Sequence, residues 1–117
     1  MKNPNEAFLT KNTKILIVGL GMIGGSYAAA LSAGGYETGA VDTDETALSY
    51  AKQRGWIRDG RTFADGDFIK KYRLIVFALY PAAMLGWIRE NQKFIAKGVL
   101  LTDVSGVKRA TVYAIQN

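Results

Sequence analysis

The chain has 117 residues, 49% of them apolar and 21% charged, and carries a net charge of +5 at neutral pH. That is a single globular domain at most, long enough to bury a core. Cysteine and histidine are both missing, so a disulfide framework, thiolate or imidazole metal ligation and imidazole catalysis are excluded within these residues, and no metal site is expected.

The fifteen basic residues are scattered, with Lys70-Lys71-Arg73 and Lys108-Arg109 as the only local groups. A nucleic-acid stripe would be more concentrated, so the charge points to a surface that tolerates and steers anionic cofactors and substrates. Residues 1–12, MKNPNEAFLTKN, lack the apolar stretch of a secretory signal. Residues 1–13 read as a polar lead-in to a domain at 14–117, and the protein as cytoplasmic.

The first apolar run, Ile15-Leu16-Ile17-Val18, is too short for a helix and rich in β-branched residues, so it reads as a buried strand. Gly19, Gly21 and Gly24 come next at the G-x-G-x-x-G spacing, and the small residues at 26–30 open a helix. Each glycine has a job in a dinucleotide site. Gly19 permits the tight turn, Gly21 lets the backbone approach a pyrophosphate, and Gly24 lets the helix pack on the strand. The free N–H groups of the first helical turn would then face the phosphates. This makes Gly19, Leu20, Gly21, Met22, Ile23 and Gly24 the expected cofactor turn. Two plainer readings compete. Residues 15–36 carry no charge and include a G-x-x-x-G at Gly21 and Gly25, a pattern also found in membrane helices, but six glycines suit a strand–turn–helix better. A chance glycine-rich turn is the other, so the motif needs support from the strands and acids beyond it in the chain.

Gly34-Gly35 supply left-handed residues to stop the helix. A second strand is expected at 37–41, ending at Asp42, where an acid accepts hydrogen bonds from the adenosine ribose hydroxyls. Asp44 would repel a 2′-phosphate and no Arg follows Asp42 at once, which favours NAD over NADP. Asp42 could instead cap the helix at 45–54; a division of labour, with Thr43 or Asp44 capping and Asp42 binding, accommodates both. Gly55 ends that helix, Trp56-Ile57 pack on the sheet, a very short strand fits around Thr62-Phe63, and 67–72 form a helical turn.

Leu74-Ile75-Val76-Phe77-Ala78 is a second buried parallel strand, stopping at Leu79-Tyr80-Pro81. Pro81 suits the first turn of a helix at 82–94, closed by Lys97-Gly98. Val99-Leu100-Leu101 form a further strand ending at Thr102-Asp103, and a last helix starts near Val107. The alternation predicts an α/β fold, a doubly wound parallel sheet, with ligands beyond the carboxyl ends of the strands. Gly19 to Gly24, Asp42 with Thr43, Leu79-Tyr80-Pro81 and Thr102-Asp103 should therefore share one rim.

Together, Gly-Leu-Gly-Met-Ile-Gly-Gly-Ser at 19–26, Asp42, Ala-Leu-Tyr-Pro at 78–81 and Thr-Asp-Val-Ser-Gly-Val-Lys at 102–108 resemble the nucleotide-binding half of the prephenate and arogenate dehydrogenases, over 14–117. The resemblance implies NAD-dependent oxidative decarboxylation of prephenate to hydroxyphenylpyruvate, in tyrosine biosynthesis, by an enzyme expected to be a homodimer with no nucleic-acid or membrane partner. The family reads Asp-x-Gly-Ser-Val-Lys where this chain has Ser105-Gly106, so Ser105 is the catalytic candidate beside its plainer role as a helix cap. The family's catalytic histidine, a sixth strand and a helical substrate and dimer domain would all come after Asn117. The expectation is an N-terminal cofactor domain, its sheet incomplete at that end, which binds NAD without turnover and leaves an apolar side of the last helix open to self-association. The alternatives are a standalone nucleotide-binding sensor or docking module, and the cofactor domain of an arogenate or β-hydroxyacid-type dehydrogenase.

Overall fold

Short apolar runs separated by glycine and acidic turns leave room only for strands that are covered on both faces, and the chain folds accordingly. The computed structural model describes residues 10–104. Its strands are β1 (Ile15–Val18), β2 (Thr38–Val41), β3 (Asp59–Arg61), β4 (Leu74–Phe77) and β5 (Leu100–Asp103). Between them lie the helices α1 (Met22–Ala33), α2 (Glu45–Gln53), α3 (Gly66–Ile69) and α4 (Pro81–Asn91), the last followed by a 3-10 turn at Gln92–Phe94.

All strand pairs are parallel, in the order β3-β2-β1-β4-β5. The chain winds outward from β1 to β3, then crosses back to place β4 on the other side of β1. The switch point lies between β1 and β4, at the crevice where doubly wound sheets take ligands.

Alternation along the strands divides the core. Ile15 and Ile17 face α1 and α2 with Ala40, Leu74 and Val76, against Ala28, Leu31, Leu48 and Ala51. Leu16 and Val18 face the opposite side with Val41, Ile75 and Phe77, under Phe68, Ile69 and Tyr72 and the partly buried Met84, Trp87 and Ile88 of α4. The fold class is the α/β parallel sheet that the alternation predicts.

Several boundaries differ from the expectations. The glycine-turn helix begins at Met22, so Gly24 and Gly25 lie inside it. The uncharged window does not form one continuous helix: β1, a turn and α1 occupy it, and among the described residues no helix is long and apolar enough to cross a membrane. Only Gly35 takes the left-handed conformation (φ +93°); Gly34 is helical. The strand expected at Thr62-Phe63 forms earlier, at Asp59–Arg61. Nothing in Asp-Gly-Arg marks a strand. It is held by pairing with β2 and by Leu48 and Ile57 pressing on Gly60, where a Cβ would come within 2.8 Å of Leu48. The helical turn is Gly66–Ile69 rather than 67–72, capped by the Asp65 carboxylate. α4 takes Pro81 as its first residue and stops at Asn91, because Phe94 and Ile95 are drawn onto the core. β2 starts at Thr38, and β5 starts at Leu100, one residue later than expected, and ends at Asp103 as expected. Ser105 and the helix expected from Val107 lie outside the described residues.

Candidate functional site

The strands end in a single row. Val41 pairs with Val18, Val18 with Phe77, and Phe77 with Asp103, so the carboxyl ends of β2, β1, β4 and β5 stand in register. The next residues along the chain are Asp42, Gly19, Ala78 and Val104. The four segments expected on one rim are thereby brought together, with the β1–β4 crevice at its middle.

At the centre is the glycine turn. Gly19 has φ +98°, which only glycine adopts without strain, and a Cβ there would lie 2.8 Å from the carbonyl oxygen of Ala78. A Cβ on Gly24 would collide with the carbonyl group of Gly19, so the helix seats directly on the turn. Gly21 is different. A Cβ there would meet nothing within 4 Å, and its φ of −63° suits any residue. Among the described residues no contact asks for a glycine at 21.

Asp42 closes the turn from the side. One carboxylate oxygen, Oδ2, accepts the Leu20 N–H at 2.5 Å, and the other, Oδ1, accepts the Asp44 N–H at 2.8 Å. Its own N–H donates to the Arg61 carbonyl at 3.1 Å. Asp44, not Thr43, caps α2: its Oδ1 accepts from Thr46 N at 3.0 Å and Ala47 N at 3.3 Å. The expected division of labour therefore resolves with Asp44 as the cap, and Asp42 is left out of the helix.

The helix ends divide in the same way. α2 and α3 each start under an aspartate side chain, whereas α1 and α4 start on Gly21 and Tyr80 with no side-chain cap. α1 and α4 are the two helices that come after the switch-point strands β1 and β4. Pro81 removes one orphan N–H of α4, but the first-turn N–H groups of α1 and the positive end of its dipole are turned to the rim, where an anion would satisfy them. Met22 and Ile23 flank that helix start, 92% and 60% exposed.

On the far side of the crevice, Leu79 packs toward the turn, with its Cδ2 3.1 Å from a Cβ placed on Gly19. Tyr80 is 87% exposed at the head of α4. Thr102 pairs with Val76, one residue before the row, and its Oγ1 donates to the Asp103 carbonyl at 3.2 Å. Arg61, paired in register with Val41 at the end of β2, is committed elsewhere. It pairs with Asp59 at 3.0 Å and Asp65 at 3.2 Å and lies over the Phe68 ring. The hydrogen bond to Asp59 pushes its guanidinium pKa up, against the opposing effect of burial.

A groove of about 610 Å³ opens from Gly21 and Met22 between α1 and α2, floored by Ala29 and Ala47 and walled by Tyr50 and Trp56. Sequence reasoning did not anticipate it. The available signal was the small residues Gly25, Ala29, Ala47 and Ala51, which face one another and leave a gap. Among the described residues no cluster of acidic side chains could hold a metal ion.

No protein-family model matches the chain, and no curated protein matches it significantly. Solved structures do. An arogenate dehydrogenase from Synechocystis superposes with a TM-score of 0.70 at 22% identity, over 78% of this chain and 32% of its own. A prephenate dehydrogenase from A. aeolicus, solved with hydroxyphenyl propionate and NAD+, superposes at 0.69 and 21% identity, over 81% of this chain and 34% of its own. A 3-hydroxyisobutyrate dehydrogenase from Mycobacterium tuberculosis reaches 0.68 at 18% identity, over 90% and 37%. The chain thus spans about a third of the length of the structures it matches, and at these identities what it shares with them is the fold, a Rossmann-like parallel sheet.

Proposed function

We propose that this chain is the NAD-binding domain of a dehydrogenase. The observation that carries the reading is Gly21, a glycine that no contact among the described residues calls for, set between an uncapped helix N-terminus and the carboxylate of Asp42. In that reading the pyrophosphate lies on the first turn of α1, against the N–H groups of Met22 and Ile23, and the ribose hydroxyls reach Asp42. Leu79, Tyr80, Thr102 and Asp103 line the nicotinamide side of the crevice. The bound cofactor supplies hydride acceptance; these residues supply binding and orientation.

Preference for NAD over NADP follows from charge. A 2′-phosphate would meet the carboxylates of Asp42 and Asp44, while Arg61, whose carbonyl accepts the Asp42 N–H, has its side chain paired with Asp59 and Asp65. Calorimetric titration tests this directly. We expect NAD to bind and NADP to bind at least tenfold more weakly, roughly 1.4 kcal/mol, with NAD affinity falling by a similar factor or more in Asp42→Ala. Equal affinity for the two, or a preference for NADP, would overturn the role given to Asp42.

For the enzyme as a whole we propose prephenate as the substrate, on the resemblance at 19–26 and 102–108. A cytoplasmic homodimer, with the lead-in at 1–13 ahead of the cofactor domain and Ser105 as its catalytic candidate, belongs to the same proposal. A second reading, a β-hydroxyacid dehydrogenase, is favoured by the 90% coverage of this chain in the superposition on 3-hydroxyisobutyrate dehydrogenase. Assaying a protein that contains this domain and its downstream sequence with prephenate and with 3-hydroxyisobutyrate separates the two; oxidation of the hydroxyacid alone would remove the prephenate proposal.

A further inference from the structure

Asp42 does more than wait for a ribose. A carboxylate has about four lone-pair positions, and two are already engaged by the backbone: Leu20 N–H on Oδ2 and Asp44 N–H on Oδ1. Leu20 lies inside the glycine turn, between Gly19 and Gly21, and Asp44 is the cap of α2. The side chain therefore joins two segments that are distant along the chain, 22 residues apart at the Leu20 bond. Its own backbone is fixed in turn, with Asp42 N–H bonded to the Arg61 carbonyl and Gly19 N–H bonded to the Val41 carbonyl at 2.9 Å. Two acceptor positions remain, which matches the two hydroxyl donors of a ribose diol.

We propose that Asp42 is a positioning residue for the phosphate turn as well as the ribose ligand. By holding Leu20 N–H, it fixes the Gly19–Leu20 peptide, one residue ahead of Gly21, and so aims the first-turn N–H groups of α1 before any ligand arrives. This rests on the reading of the turn as a dinucleotide cradle, and it adds a consequence. The carboxylate that excludes a 2′-phosphate cannot be replaced without loosening the site for the pyrophosphate, so cofactor preference cannot be switched at this position alone.

Two roles for Asp42 give opposite signs with a ligand that lacks the diol. 2′,3′-Dideoxy-ADP keeps adenine and both phosphates but has no ribose hydroxyls to donate. If Asp42 serves the ribose only, Asp42→Ala leaves this ligand's affinity unchanged, or raises it, because a negative charge near the phosphates is gone. If Asp42 aims the turn, Asp42→Ala weakens dideoxy-ADP by about tenfold, the scale of one hydrogen bond to a charged group. Asp42→Asn keeps the volume and one acceptor but substitutes a donor for the other; it should fall between the two and guards against a variant that does not fold. Amide exchange at Leu20 is read in parallel. In the unmodified chain this N–H should be protected, and in Asp42→Ala it should exchange at least about tenfold faster while Ile17 and Val76 in the core keep their protection. Unchanged or tighter dideoxy-ADP binding in Asp42→Ala, or a Leu20 amide that exchanges freely in the unmodified chain, overturns the proposal. If the unmodified chain binds neither ADP nor dideoxy-ADP, the dinucleotide reading fails, and anchoring of the turn is then decided by the exchange of Leu20 alone.

Discussion

β1 and β5 are both four-residue parallel strands that end on the same rim, yet they are supported differently. β1 is flanked by β2 and β4 and is 0–3% exposed throughout. β5 pairs with β4 and, among the described residues, with no other strand, and Leu100 is 44% exposed. Their partner helices repeat the contrast. α1 buries Gly24, Gly25, Ala28 and Leu31, whereas Asn91 is the one buried residue of α4 and Leu85 is 60% exposed. The half of the rim that would hold phosphates and ribose is built on close-packed core, and the half that would face the nicotinamide stands on a looser flank. Close packing is concentrated under the segment where the proposed reading has the backbone itself bind the phosphates. That is consistent with a site whose affinity comes from the first half and whose chemistry is completed from the second.

The largest effect is expected at the seam of the rigid half. Gly24→Ala places a Cβ against the Gly19 carbonyl, backbone that has no rotamer to yield. A loss of roughly 3 kcal/mol is expected, read as a lower denaturant midpoint; a midpoint within error of the unmodified chain would break the comparison at its strongest point.

An intermediate effect comes from pH. Tyr72 is 4% exposed, its ring against β2 at Gly39, and burial, helped by the charges of Glu37 and Asp59, pushes its pKa up to about 12. The folded state therefore holds the neutral phenol more strongly than the unfolded chain does. The associated stability is complete below about pH 10 and declines as pH rises from there through about 12, by roughly 2–3 kcal/mol. Urea titrations across that range should show the decline in the unmodified chain and a shallower one in Tyr72→Phe. Identical alkaline limbs would mean that the Tyr72 hydroxyl ionises as readily in the folded chain as in the unfolded one.

The smallest effect belongs to the looser flank. Leu100→Ala should cost less than about 1 kcal/mol, since much of the side chain is already in water. A loss comparable with that of Gly24→Ala would show that β5 is as tightly supported as β1.

Where the sequence carried a periodicity or a steric demand, the structure could be read from it. β1 and β4 are continuous apolar runs, and nothing but buried parallel strands fits them. The glycine spacing located the turn, since Gly19 and Gly24 are required by geometry. The position of Asp42, just past the end of β2 on the rim, was legible because the run before it reads as a strand. β3 was not legible, as Asp-Gly-Arg has neither apolar character nor β propensity and is a strand only because β2 offers it a partner. The same holds for the end of α4, which is set by Phe94 and Ile95 packing on residues far away in the chain. Nor could any motif have announced that Leu20 N–H and Asp42 meet, because that bond spans 22 residues and depends on the register of β1 with β2.

The most direct test monitors backbone amides during a titration of the isotopically labelled chain with NAD. The largest shifts are expected at Leu20, Gly21, Met22, Ile23 and Asp42, smaller ones at Leu79, Tyr80 and Thr102, and none at β3 or in the groove beyond Met22 toward Trp56. Shifts centred on Tyr50 and Trp56, with the glycine turn unmoved, would contradict a cofactor cradle at the β1–β4 crevice and transfer the site to the groove between α1 and α2.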